Sequence, residues 1–147
     1  MEWFDTTADS AHALTTDQRR LAAISMDALL DELAHRRWEK WAFGTATDPL
    51  GIAFVLWWPH HADVVVLPGP DHAVTYRAHR DPHSHPFTPD TVAWVYAGIP
   101  AHAIRTLLLL PPPHALNAPT DTLRLGDHVR VPHTWLARRP QLIRPSQ

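Results

Sequence analysis

The chain has no cysteine, which excludes a disulfide framework, a thiol nucleophile and a cysteine-ligated zinc. Its five glycines stand singly, so no glycine-rich loop is present to cradle a phosphate. Ser10, Ser25, Ser84 and Ser146 are the only serines, and none lies in a nucleophile elbow. Lys40 is the single lysine, and the formal charge of −2 gives no global field to draw the chain to nucleic acid or a membrane. Apolar runs of the ~20 residues a lipid bilayer requires are also missing. His60, His61 and Asp63 interrupt one candidate window, and Pro100, His102 and Arg105 interrupt another. No basic region followed by an apolar core opens the chain. The expectation is a cytoplasmic protein without a membrane span.

What is present is an apolar fraction of 45% over 147 residues. A chain of that length buries about 68–70% of its unfolded surface, so one domain needs no metal or disulfide to hold it. The expected division is a polar segment over 1–14, a single domain over 15–136 and a basic, proline-containing tail over 137–147. No repeat occurs at solenoid spacing.

Residues 91–113 read TVAWVYAGIPAHAIRTLLLLPPP and organise the rest. Val92, Trp94 and Tyr96 share one face at a period of two, with Ala93, Val95 and Ala97 on the other, which predicts a strand. Pro100 suits the first position of a helix, where its missing N–H costs nothing. Ala103, Ile104, Leu107 and Leu108 then recur at helical spacing until Pro111, Pro112 and Pro113 end the run. So short a helix is marginal alone and must bury its leucines against a sheet.

Upstream, Thr15-Thr16-Asp17-Gln18 matches a capping box, and Ala22, Met26, Leu29, Leu30 and Leu33 form an apolar face. The pattern predicts one long helix reaching about Trp41, ended by Gly44 and the turn-forming residues after it. Two helices broken near Ile24, as in a helix-turn-helix, are the alternative, disfavoured by the missing glycine turn. Apolar runs at 52–58 and 63–67 predict a hairpin, Pro68-Gly69-Pro70-Asp71 a turn, and residues 73–79 a third strand. LRLGDHVRV at 123–131 reads as a small hairpin or one bulged strand. The predicted fold is α+β: a mostly antiparallel sheet of four or five strands, with the long N-terminal helix and the short proline-initiated helix packed on it.

Candidate chemistry is sparse. His79, Asp81, His83 and His85 form the sharpest cluster, since neutral imidazoles and a carboxylate can hold a divalent transition metal, with His79, His83 and His85 as the expected ligands. Twelve histidines in one chain also make such clusters by chance, and solvated loop histidines are the commoner outcome. Trp135 beside Arg138 and Arg139 suits a surface for a protein partner or for nucleic acid, by stacking and phosphate pairing. No catalytic residue stands out, and the balance of the sequence favours a non-enzymatic role without a cofactor.

Trp94, the Pro100-x-x-Ala103-Ile104 start and residues 107–110 resemble a small actinobacterial domain of unknown function found in chromosomal and plasmid proteins. That family usually carries an acid after the proline, where this chain has Ala101 and His102. Size and composition also resemble the small spread proteins of conjugative plasmids. The resemblance implies an accessory that acts through a protein partner in plasmid transfer. A histidine-dependent metal enzyme or sensor is the first alternative, and a nucleic-acid-binding accessory the second.

Overall fold

The computed structural model describes residues 16–45, 47–69, 71–82 and 85–143, with the side chains of 16–25 and of His128 outside that description. Helix α1 (Thr16–His35) is followed by strands β1 (Glu39–Gly44), β2 (Pro49–Trp57), β3 (His61–Gly69), β4 (His72–His79) and β5 (Val92–Gly98). Helix α2 (Pro100–Leu108), two short 3-10 turns and strand β6 (Gln141–Ile143) complete the chain. The fold is α+β, as the sequence predicts, but the antiparallel sheet has six strands in the order β5-β4-β3-β2-β1-β6. The expected segment 1–14 lies outside the described residues.

The sheet is buried on both faces, which is why residues 62–67 and 73–78 are buried without alternation. Phe54, Val65, Leu67 and Ala73 face the helices, where Leu33, Trp38, Ala103, Ile104 and Leu107 close over them. On the opposite face Phe43, Val55, Val64, Val66, Val74 and Tyr76 are covered by irregular chain instead. Phe87, Leu125, Val129, Val131, Trp135 and Leu136 supply that cover. The sequence shows the first cover clearly and the second hardly at all.

Helix α2 behaves as its spacing requires: Pro100 starts it, and Ala103, Ile104 and Leu107 are buried while Leu109 is exposed. Each fully buried aliphatic side chain contributes about 1.5–3 kcal/mol, enough to hold a helix this short.

The long helix stops at His35 rather than near Trp41, and Glu39–Gly44 is a strand. The stop is a Schellman motif. Arg37 takes a positive φ of 64°, Trp38 N–H donates to Leu33 O (3.1 Å) and Arg37 N–H donates to Ala34 O (3.1 Å). Trp38 and Leu33 pack in the same core, supplying the apolar contact that accompanies the motif. Glycine normally fills the left-handed position, and a side chain there costs about 1 kcal/mol. Arg37→Gly is therefore expected to raise the midpoint of thermal unfolding by about 3 °C, readable by circular dichroism.

Two further expectations change. Residues 123–131 form no hairpin: Leu123 makes one bridge to Val92, with both N–H···O distances 2.8 Å, and the chain then turns through a 3-10 helix at Asp127–Val129. The segment expected to be a tail contributes β6, which pairs with Lys40, Trp41 and Ala42 on the open edge of β1.

Candidate binding cleft

A cleft of about 210 Å³ opens where β2, β3 and β4 run out. Register explains its space. Trp57 pairs with Ala62, Ala62 with Ala78 and Ala78 with Val92, so two alanines occupy adjacent positions in one cross-strand row. Side-chain volume is missing there, and Trp57, His79, Arg80, Asp81, Pro82, His85 and Pro86 stand around the gap.

The rim is held by specific contacts. The Arg80 guanidinium lies 4.8 Å from the centroid of the Trp57 ring and donates from Nη1 to Trp58 O (2.7 Å). Trp57 Nε1–H donates to Glu39 on the neighbouring strand, fixing the indole. The wall formed by His85 and Pro86 is tied down from beneath: the Tyr76 hydroxyl donates to Pro86 O (2.6 Å), and complete burial holds its proton far above the ordinary tyrosine range. Phe87 anchors the same loop, its ring edge-on to Phe43 at 4.9 Å and to Trp41 at 5.8 Å.

Two imidazoles at this end of the sheet, His61 and His85, favour their neutral form. Burial lowers the His85 pKa, and the charge of Arg139 lowers it further. His61, whose ring is 5.3 Å from that of its cross-strand partner His79, is lowered by burial, then by His79, Arg77 and His60, with Asp63 opposing. Both groups bind protons more weakly folded than unfolded. Their neutral forms fit the fold above about pH 6.5, and stability is lost as pH falls from there toward the depressed folded values. Denaturant midpoints measured between pH 7.5 and 5 are expected to fall with acid, and less steeply in His61→Gln and His85→Gln.

No family model, curated protein or solved structure matches the chain.

Of the histidines singled out in the sequence, His79 and His85 line this cleft, whereas His83 lies outside the described residues. Among the described residues, no three His, Asp or Glu side chains converge at metal-ligating spacing. Arg138 and Arg139 are exposed, but Trp135 does not stand beside them in solvent. Its ring packs on Phe43 at 5.4 Å and fills the space over Gly51, where an added Cβ would lie 2.6 Å from Cη2 and Cζ3.

Sequence reasoning names neither Trp57 nor Arg80 as a site residue. Ala62 stands opposite Ala78 and Asp63 opposite Arg77 only because the register shifts between Val66 and Gly69, so counting outward from the Gly69–His72 pair would miss both by one residue. No described helix is long and apolar enough to cross a membrane.

Proposed function

We propose that the chain is a non-enzymatic binding protein whose recognition surface is the Trp57–Arg80 end of the sheet. The observation that carries this is the Arg80 guanidinium stacked on an indole that remains 39% exposed, at the mouth of the cleft. Tryptophan and arginine dominate the energetics of protein contact surfaces. A volume of about 210 Å³ exceeds the roughly 150 Å³ that admits benzene and falls short of the roughly 300 Å³ at which drug-sized sites begin. It suits one inserted side chain rather than a nucleotide or a large cofactor. The resemblance to plasmid spread proteins makes transfer proteins the first place to look for the partner.

The test is affinity capture from a host lysate with wild-type and Trp57→Ala baits, followed by reconstitution with the purified partner. A contact of this type contributes about 2 kcal/mol, so Trp57→Ala is expected to weaken binding about 30-fold with the fold intact by circular dichroism. Equal affinity of the two baits overturns the proposal. An Arg138→Ala, Arg139→Ala bait distinguishes the nucleic-acid alternative, which predicts salt-dependent binding lost in that variant alone.

A further inference from the structure

The chemistry around the cleft narrows what a partner inserts. The face of Trp57, the natural seat for a cation, is already covered by Arg80, so a cationic group would have to displace it. Two of the residues that line the cleft, Arg80 and His85, carry side-chain donors. Phe87 N–H donates to His85 Nδ1 (3.3 Å), and a backbone N–H can only donate, so Nδ1 carries the lone pair. In the neutral ring the proton therefore sits on Nε2, leaving an N–H donor on a residue that lines the cleft. Arg80 uses one donor on Trp58 O, and its guanidinium carries further N–H groups. Arg139 lies close enough to act on His85, adding a second positive charge against Asp81, which is itself engaged in an interaction. Glu39 accepts from Trp57 and does not line the cleft. Ala62, Ala78, Pro82 and Pro86 give the remaining walls an apolar lining.

We infer that the cleft seats the carboxylate of a partner's glutamate, its methylenes against the alanine and proline walls and its oxygens on Arg80 and His85. This rests on the recognition surface proposed above and adds the identity of the anchoring group. Aspartate places its carboxylate one methylene shorter, and glutamine retains the shape without the charge, so both are expected to bind more weakly.

The experiment titrates isotope-labelled protein with N-acetyl-glutamate N-methylamide and with the matching glutamine compound, following backbone amide shifts. The glutamate probe is expected to move the signals of Ala62, Ala78, Arg80 and His85 and to bind about tenfold more tightly than the glutamine probe. That preference is expected to disappear in Arg80→Met and to fall in His85→Ala. Equal binding of the two probes, a preference that survives Arg80→Met, or no shift at these residues up to about 0.1 M probe overturns the inference. If Trp57→Ala still weakens the reconstituted partner complex, the recognition surface stands and only the glutamate is wrong. If Trp57→Ala leaves that complex unchanged, the surface itself fails.

Discussion

Arg77→Met is expected to destabilise the protein by about 3–5 kcal/mol, because it strands a buried carboxylate. Arg77 and Asp63 are only 1% and 3% exposed, on adjacent strands beneath the helical layer. The guanidinium is bidentate, with Nε to Asp63 Oδ1 at 2.7 Å and Nη2 to Oδ2 at 3.0 Å. Its Nη1 donates to Pro111 O (2.7 Å), pinning the chain just after α2, and Trp58 Nε1 donates to Asp63 Oδ2 (3.0 Å). Removing one partner leaves the other charge without water or counter-charge, whereas removing both leaves only neutral groups to satisfy. Asp63→Leu is therefore expected to be costly too, and Asp63→Leu with Arg77→Met to recover most of the loss. Urea unfolding of the four proteins measures the coupling, expected to exceed about 2 kcal/mol. Additive losses would show that the two side chains act separately.

Trp135→Ala is the second large effect, expected at about 2–4 kcal/mol, because the indole fills the space left over Gly51 and abuts Phe43. A methyl at residue 51 cannot coexist with the ring, so Gly51→Ala alone is expected to cost about 1–3 kcal/mol. In the Trp135→Ala background its cost is expected to fall below about 1 kcal/mol, the residue being the approach to Leu67 O at 3.1 Å. Denaturant curves on the two singles and the double check this. If Gly51→Ala costs the same in both backgrounds, the tryptophan does not occupy that space in solution.

What the sequence made legible was whatever repeats locally. The strand at 92–98 and the proline start at residue 100 each report on neighbours along the chain, and each lies where expected, although a register shift opposite Arg77 and Ala78 turns Val92 to the other face from Trp94 and Tyr96. Strand β1 was hidden because Trp38 and Trp41 keep helical spacing and no glycine marks the end of α1. Its stop resides in the backbone of Arg37, held left-handed by bonds that no composition rule reveals. Strand β6 is three residues long, too short to show a period, and exists because β1 presents an open edge. Residues 123–131 mislead in the opposite sense: they alternate well, but only Leu123 finds a partner strand. Trp135 looked like surface because its neighbours are arginines, and only the gap over Gly51, far away in sequence, draws it inward. The cleft depends on which residues face one another across strands. Its outline was therefore hidden, because a register shift between Val66 and Gly69 upsets any count carried outward from the hairpin end, and nothing local marks its His85 wall.

The strand order also sets a timetable. From β1 to β5 each strand hydrogen-bonds to the next one synthesised, so hairpins can zip in sequence with short loops to close. Strand β1 must wait for β6, which follows roughly a hundred residues later, a separation that raises the closure entropy. Until then its outer edge stays unpaired on a nearly finished sheet. A nascent or freshly diluted chain is expected to pass through that open-edged stage, and crowding two such chains together then gives each the strand it lacks.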